Sequence, residues 1–243
     1  MKSDQSKRTL GIIGGMGPHS DIAFLEMLHS RANAESDSDY IPVLYDGNCR
    51  RPDRSDFLTK KSKQCPGKSL ITSLKNLEKC GASVIVMPCN TAHYWSKLIL
   101  KNKRRKTVFI DMISAVTEYC RANSFKKVIL LATPGTYEKN IYRKSLSASG
   151  IECIYPDNGI REKLLSVIRD IKRGKSADLS FLDDFVADSG CDKVILGCTE
   201  LCLAGKNSGN AVYIDSLSVL TDKIYSVLMR KTNASKQKSK TES

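Results

Sequence analysis

The chain has 243 residues, and 41% of them are hydrophobic, which is enough to bury a core as one large domain or two small ones. The apolar run at 10–13 behind the polar N-terminal residues is too short for the hydrophobic region of a signal peptide. No stretch approaches the ~20 apolar residues of a membrane span. We therefore expect a soluble, cytoplasmic protein with no membrane partner.

The net charge of +13 is concentrated in a few segments. Segment 97–106 carries six basic residues, and segment 60–68 carries four. The tail at 231–243 has no apolar periodicity, so we expect it to be disordered and basic. No nucleic-acid-binding module accompanies this charge, which favours a role in solubility and predicts no specific nucleic-acid partner.

Nine cysteines are scattered along the chain, and an odd number in so long a chain predicts reduced thiols. The closest pair, Cys198 and Cys202, has no second pair or nearby histidine to complete a zinc site, so we expect no metal. Seven cysteines are expected to be inert core residues, because this residue type is commonly buried. They are Cys49, Cys65, Cys80, Cys120, Cys153, Cys191 and Cys202.

Short β-rich runs alternate with longer segments of helical period. Candidate strands lie at 10–13, 41–45, 83–87, 107–110, 127–132, 152–155, 193–196 and 211–214. Helical patterns lie at 21–33, 68–80, 114–123, 137–149, 162–173 and 179–189. Alternation of this kind predicts an α/β protein with mainly parallel sheets covered by helices on both faces.

Two pairs of segments indicate that the chain contains a duplicated βα unit. CGASVIVMPCNT and SGCDKVILGCTE share a glycine, a β-rich run and a cysteine that follows the glycine by eight residues. LGIIGGMGP and VILLATPGT each pass from a buried strand into a Gly/Pro turn. Two doubly wound, pseudo-symmetric halves would bring Cys89 and Cys198 to matching strand ends, where open α/β sheets bind ligands.

Two thiols on opposite sides of a pocket have a clear chemical use. A strand-to-helix turn favours negative charge, so we expect it to lower a thiol pKa from ~8.5 towards neutrality. A thiolate can then take a proton from one face of a carbon while the other thiol returns a proton to the opposite face, which inverts the stereochemistry. Asn90, Thr91, Thr133 and Thr199 supply neutral donors for a small carboxylate, and glycines 14–17 allow a close backbone approach.

The motifs GIIGGMGP, RPDR, MPCNTAHY, LLATPGT and LGCTEL together resemble the aspartate racemases of the cofactor-independent aspartate/glutamate racemase superfamily. The resemblance covers about residues 10–214. It implies a pseudo-symmetric two-domain fold, usually a homodimer, with the active site in the interdomain cleft. The first domain is predicted at 1–111 plus 212–230, and the second at 112–211. The resemblance also implies racemisation without pyridoxal phosphate or any other cofactor, with Cys89 and Cys198 as the catalytic pair.

The same resemblance assigns substrate-binding residues by position. Arg54 and Lys172 match a basic pair linked in that family to recognition of a side-chain carboxylate. Glu200 stands where glutamate racemases tend to have histidine, which favours aspartate. The residues that would hold the substrate α-carboxylate, together with one near the ligand in the glycine loop, are Asn90, Thr91, Thr133, Thr199 and Met16.

Several residues depart from the family pattern. Cys49, Arg50 and Arg51 stand where the family commonly has a sequence like Pro-Gln-Ile, and His19 with Ser20 replaces the more usual Glu-Ala. His93 follows Cys89 by four residues, and the sequence leaves open whether it tunes the thiol or makes a structural hydrogen bond.

The expected function is interconversion of L- and D-aspartate. The alternatives are a glutamate or broad-specificity racemase, and a non-catalytic small-carboxylate or polyanion-binding protein on the same scaffold. Related folds with a cysteine in similar turns decarboxylate or isomerise small diacids, but they usually do not need both thiols as an acid–base pair. The presence of both thiols argues against that class.

Overall fold

The computed structural model describes residues 8–206 and 211–229. Within them the strands are β1 Thr9–Ile13, β2 Val43–Asp46, β3 Ala82–Val86, β4 Val108–Phe109, β5 Lys127–Ala132, β6 Glu152–Ile154, β7 Lys193–Gly197 and β8 Val212–Asp215. The α-helices are α1 Pro18–Ser30, α2 Arg54–Leu58, α3 Gly67–Lys79, α4 Ser96–Asn102, α5 Met112–Ala122, α6 Pro134–Glu138, α7 Ile141–Ala148, α8 Asn158–Lys172, α9 Asp183–Asp188 and α10 Ser216–Met229. Short 3₁₀ helices lie at Asp37–Asp39, Thr91–Trp95, Ser180–Leu182 and Thr199–Leu203.

The strands form two four-stranded sheets of the same topology. The first sheet has the order β2-β1-β3-β4 and the second the order β6-β5-β7-β8, with every pairing parallel. Strand β7 therefore occupies in the second half the place that β3 occupies in the first. Cys89 and Cys198 follow these equivalent strands. The predicted class, a pseudo-symmetric α/β fold built from two mainly parallel sheets, is confirmed.

Three apolar clusters account for the layers. A central cluster joins one face of each sheet, where Leu10 and Val128 lie, to α1, α5 and α10. The outer face of the first sheet packs on α3 and α4, and the outer face of the second packs on α8 and α9. Both faces of each sheet are covered, which explains why the strands read as nearly continuous apolar runs. The two halves thus share a hydrophobic core as well as a cleft.

The C-terminal boundary of the second half differs from the prediction. We predicted a return to the first domain at residue 212, but β8 pairs with β7 and completes the second sheet. Strand β8 is thus the counterpart of β4, and α10 follows it as α5 follows β4. The predicted tail at 231–243 lies outside the described residues.

The helical pattern at 137–149 forms two helices. Asn140 adopts a left-handed conformation with φ of 51° between α6 and α7, and asparagine tolerates this region better than most residues. The pattern at 179–189 likewise begins as a 3₁₀ helix before α9. No helix in the described part of the chain is long and apolar enough to cross a bilayer.

The expectation that the other seven cysteines are core residues is correct for Cys120, Cys153 and Cys191. It is wrong for Cys49, Cys65 and Cys80, which are exposed, while Cys202 is half-buried. Those three exposed thiols lie in loops or at a helix end, where the chain meets solvent.

Candidate active site

A narrow cavity of about 20 Å³ lies between the two halves, and both Cys89 and Cys198 line it. This volume holds about one water molecule, so the cleft is closed. All ten predicted site residues line the cavity, together with Asp53 and Ser55, which the sequence analysis did not single out. The ten are Met16, Arg54, Cys89, Asn90, Thr91, Thr133, Lys172, Cys198, Thr199 and Glu200.

The loop at 14–17 forms one wall and requires its glycines. Gly15 has φ of 74°, and a Cβ there would collide with the backbone of Asn48. A Cβ on Gly17 would collide with Glu200 Oε1, so glycine allows the loop to approach the carboxylate. The Gly15 N–H donates to Asp21 Oδ2 at 2.6 Å, which anchors the loop to α1.

Backbone and histidine contacts fix the Cys89 turn. The Cys89 N–H donates to the Met87 carbonyl at 2.8 Å, and the Cys89 carbonyl accepts from the Ala92 N–H. His93 Nε2 accepts the Met112 N–H at 3.0 Å, so Nδ1 carries the proton and donates to the Cys89 carbonyl at 2.9 Å. The contacts of His93 are therefore those of a structural hydrogen-bonding residue that holds the turn.

A carboxylate dominates the Cys198 turn. The Cys198 thiol donates to Glu200 Oε2 at 3.0 Å. The other oxygen, Glu200 Oε1, lies 3.8 Å from Lys172 Nζ and has no hydrogen-bond partner. Although burial opposes the charged amine, Glu200 holds the pKa of Lys172 above its usual range. Glu200 is thus shared between a thiol and an ammonium group.

The expected lowering of the thiol pKa values is wrong for this closed conformation. Burial raises the pKa of Cys89, with Arg54 acting in the opposite direction. Burial raises the pKa of Cys198 well above its usual range, and the negative charge of Glu200 raises it further. Each cysteine precedes only a five-residue 3₁₀ helix, and the loss of water outweighs any effect of that short turn.

The neutral donors of the cavity bond across the cleft. Thr91 Oγ1 lies 2.9 Å from Thr133 Oγ1 and 3.0 Å from Thr136 Oγ1, which joins the two halves by hydroxyls. Asn90 donates to Ser216 Oγ at 3.1 Å and accepts from the Tyr142 hydroxyl at 2.5 Å. These groups satisfy one another in the closed state, so a ligand must compete with contacts that hold the halves together.

Two buried arginines line the approach to the thiols. Arg54 donates to the carbonyls of Pro52 and Met16, and Arg51 donates to Ser69, Ser73 and the Gly14 carbonyl. Both Nε atoms are buried without a hydrogen-bond partner. Neither guanidinium has an acidic partner within 4.0 Å among the described residues. Arg50, by contrast, is exposed.

A second, wider pocket of about 290 Å³ adjoins the narrow cavity, and the two share Met16, Asp53, Arg54, Lys172 and Glu200. Arg51, Cys49 and His19 also line this outer pocket. The positions that depart from the family pattern therefore lie mainly at the entrance, and the two thiols lie deeper. An anion approaching through this pocket meets Arg51, Arg54 and Lys172 before it reaches the cysteines.

The sequence profile of a family described as Asp/Glu/Hydantoin racemase matches residues 13–224. The chain belongs to this family. Its resemblance to the aspartate/glutamate racemases is confirmed by that match.

Relatives within the family differ in the substrate that their names give. The chain is 30% identical to the broad specificity amino-acid racemase RacX of Bacillus subtilis over 155 residues, which are 61% of this chain and 65% of RacX. It therefore spans slightly less than two thirds of that relative. The aspartate racemase of Picrophilus torridus is 28% identical, with a TM-score of 0.76 over 91% of this chain and 94% of that one.

A glutamate racemase structure from Francisella tularensis, in complex with D-glutamate, shares the fold of this family member. It is 19% identical, with a TM-score of 0.68 over 93% of this chain and 82% of that one.

Asp53 and Ser55, the two cavity residues that the sequence analysis did not name, lie on either side of Arg54. Their position next to the RPDR motif was the signal in the sequence that could have identified them. Asp53 Oδ1 caps α2 by accepting the Asp56 N–H at 2.9 Å, and thereby positions Arg54.

Proposed function

We propose that this protein interconverts L- and D-aspartate through Cys89 and Cys198, which act as a pair of bases without a cofactor. The observation that carries the proposal is the common cavity, because both thiols line it from different halves of the molecule. An inert core cysteine would have no reason to face a polar cleft that also contains two basic side chains and several hydroxyls.

The proposed reaction moves one proton at a time. One cysteine, as thiolate, takes the Cα proton of the substrate and becomes a thiol. The other cysteine donates its proton to the opposite face of Cα and becomes a thiolate. The product has inverted stereochemistry, and a later turnover in the reverse direction or proton exchange with solvent restores the starting pair.

The charged neighbours of the thiols suit these steps. We propose that Glu200 accepts the proton of Cys198 when that thiol must become a thiolate, because the S–H group already donates to it. Arg54 opposes the effect of burial on the pKa of Cys89, so we propose that it stabilises the Cys89 thiolate. Closure excludes bulk water and strengthens both effects.

An acidic substrate is the choice best supported by the charges of the pocket. We propose that Arg54 and Lys172 bind the side-chain carboxylate, with Met16 close to the ligand. The α-carboxylate would replace the cross-cleft contacts of Asn90, Thr91 and Thr133, and would also bind Thr199, whose hydroxyl lies 3.4 Å from Glu200 Oε2. A guanidinium whose Nε lacks a partner has an unused donor for such an anion.

A glutamate or broad-specificity racemase is the second candidate. The similarity to RacX favours it, and so does the outer pocket, which leaves room for a side chain longer than that of aspartate. A chiral screen of the common L-amino acids ranks the candidates by kcat/KM. The aspartate proposal is contradicted if glutamate or a neutral amino acid turns over at least tenfold faster.

Homodimerisation and a cytoplasmic location also belong to this proposal. Light scattering coupled to size-exclusion chromatography tests the first, with a mass of twice the 26.9 kDa of the chain as the expected result. Fractionation of the cells that produce the protein tests the second. A monomer with full activity would contradict the dimer but leave the thiol mechanism intact.

The decisive experiment is incubation of the purified protein with L-aspartate in deuterated water. We expect deuterium at Cα and accumulation of D-aspartate, because the returned proton comes from a thiol that exchanges with solvent. Added pyridoxal phosphate and chelators should leave the rate unchanged. Absence of both label and inversion with every amino acid tried would remove racemisation as the function.

A further inference from the structure

The positive charge of this protein is located mainly in one part of the chain. Between residues 60 and 106 there are twelve lysines and arginines but a single acidic residue, Glu78. This segment therefore accounts for +11 of the net charge of +13. Ten of the twelve basic residues are lysines, and most of them are exposed.

Packing of α3 on α4 brings the two basic segments together. Lys68 and Lys75 of α3 and Leu98 and Asn102 of α4 line a shallow groove of about 550 Å³, and Ile71 contributes apolar surface to it. Glu78 is buried next to this groove, with Lys75 Nζ at 3.6 Å and Arg104 Nε at 3.9 Å. The one acidic residue of the segment therefore adds no negative charge to the exposed surface.

Two large apolar side chains protrude among the lysines. Leu100 is 51% exposed and lies between Lys97 and Lys101 in sequence, both of which are exposed. Tyr94 is 49% exposed, and its ring packs edge-on against the buried Trp95 at 5.0 Å between centroids. Exposed apolar side chains surrounded by basic residues are typical of surfaces that meet the interface of a lipid bilayer.

We propose that this surface, the α3–α4 face, binds the headgroup layer of a membrane rich in anionic phospholipids. This replaces the expectation of no membrane partner, which rested only on the lack of a spanning segment. The α3–α4 face comprises the exposed Lys97, Leu100 and Lys101 of α4, which lie on one side of that helix at spacings of three and four residues, together with Tyr94 just before them and Lys68 and Lys75 of α3 at the adjoining groove. Each lysine near such a membrane raises partitioning roughly fivefold, so several together favour peripheral binding without a spanning helix. Leu100 and Tyr94 would enter the interfacial region.

The composition of the face favours lipid over nucleic acid. Lysine supplies a point charge suited to mobile headgroups, whereas arginine supplies the bidentate geometry that matches a fixed phosphate. A protruding leucine has no partner on a phosphate backbone but can be buried among lipid chains. None of the twelve basic residues lines the narrow cavity or the outer pocket, so membrane binding leaves the thiols accessible.

Flotation of the full chain with vesicles tests the proposal. We expect partitioning onto vesicles of phosphatidylcholine with about one third phosphatidylserine, no partitioning onto phosphatidylcholine alone, and release by high salt. Combined replacement of Lys68, Lys97 and Lys101 by Glu should reduce the partition coefficient at least about 100-fold. Leu100→Ser should reduce it several-fold at unchanged charge.

The matched control replaces three exposed lysines of the second half, Lys126, Lys144 and Lys163, by Glu and therefore changes the net charge equally. It should retain most of the binding, and circular dichroism should show that both triple variants are folded. Equal loss in the two variants would overturn the assignment to this face. Equal binding to neutral vesicles, or salt-sensitive binding of poly(U) without vesicle binding, would overturn the lipid proposal.

Discussion

The two cysteine turns follow equivalent strands of matching sheets, yet the residues after the thiol differ, and the second and fourth of them differ most in chemistry. The second residue is Thr91 after Cys89, where it bonds other threonines, and Glu200 after Cys198, where it accepts the thiol proton. The fourth is His93 after Cys89 and Cys202 after Cys198. A symmetric backbone thus carries an asymmetric distribution of charge.

The fold determines where the two thiols lie, and the side chains around them determine how acidic each thiol is. The strand order places the two thiols at corresponding positions, whereas a few side chains decide which thiol loses its proton more readily. Arg54 acts on Cys89, and Glu200 acts on Cys198. The proposed reaction needs one thiol and one thiolate, and this asymmetry makes Cys89 the thiol that ionises more readily.

Removal of either thiol should have the largest effect on racemisation, and each variant should retain proton exchange with only one enantiomer of the substrate. We expect Cys89→Ala and Cys198→Ala each to reduce racemisation roughly 10³-fold or more. Each variant retains one base, so it should exchange deuterium into only one enantiomer, and the two variants should label opposite enantiomers. Chiral chromatography with mass spectrometry measures both. Labelling of the same enantiomer by both variants would contradict the opposed arrangement.

Removal of the carboxylate beside Cys198 should have the next largest effect. Glu200→Gln should lower racemisation roughly 10²-fold, because the proton acceptor is lost. It should also lower the pKa of Cys198, because the negative charge that disfavours a thiolate is gone. Thiolate absorbance in Cys89→Ala protein, with exposed Cys49, Cys65 and Cys80 changed to Ser, measures this shift. A higher pKa of Cys198 would contradict the assignment.

Replacement of Arg54 should raise the pKa of Cys89, whereas replacement of Glu200 should lower the pKa of Cys198. Burial raises both thiol pKa values, so kcat/KM should increase as the pH rises into the alkaline range. Arg54→Met removes a positive charge that favours the Cys89 thiolate and should move this increase to higher pH, with roughly tenfold lower kcat/KM at neutral pH. Arg54→Lys keeps the charge and is the control. An unchanged pH dependence of kcat/KM in Arg54→Met would contradict the proposal that Arg54 stabilises the Cys89 thiolate.

The smallest expected effect concerns the fourth residue after each thiol. His93→Gln should lower the free energy of unfolding by about 1–3 kcal/mol, because the Met112 N–H and the Cys89 carbonyl lose good partners. Cys202→Ser is the counterpart, and it should cost about 1 kcal/mol or less, since Cys202 Sγ lies 3.9 Å from the Cys198 carbonyl. Urea unfolding measures the free energy of unfolding of both variants and of the unmodified protein. A loss of turnover without a loss of stability in the His93 variant would point to a chemical role.

Much of the fold could be read from the sequence because its signals are local. The central strands are nearly continuous apolar runs, and the internal repeat predicts the arrangement of the strands in two halves. The sheet to which β8 belongs could not be read, because pairing with β7 depends on contacts distant in sequence. The break at Asn140 was also missed, since the apolar period continues through it.

For the candidate site, too, some features could be predicted from the sequence and others could not. Motif positions were enough to name the residues that line the cavity, but their electrostatic state depends on closure. The pKa direction of Cys89 follows from burial between two halves, which no local pattern reports. The inward orientation of Arg51 follows from its bonds to Ser69 and Ser73 on α3. His93 required knowledge of the Met112 N–H, nineteen residues away.

The small volume between the thiols has a kinetic consequence. The space of about 20 Å³ between the thiols is smaller than an amino acid, so we expect substrate entry to require a movement of the two halves that breaks the Thr91–Thr133 and Asn90–Ser216 hydrogen bonds and re-forms them after product release. If that gating step limits the rate, added viscogen slows turnover in proportion to solvent friction. Mutations far from sulfur, along the seam, then change the speed of the enzyme without altering its chemistry.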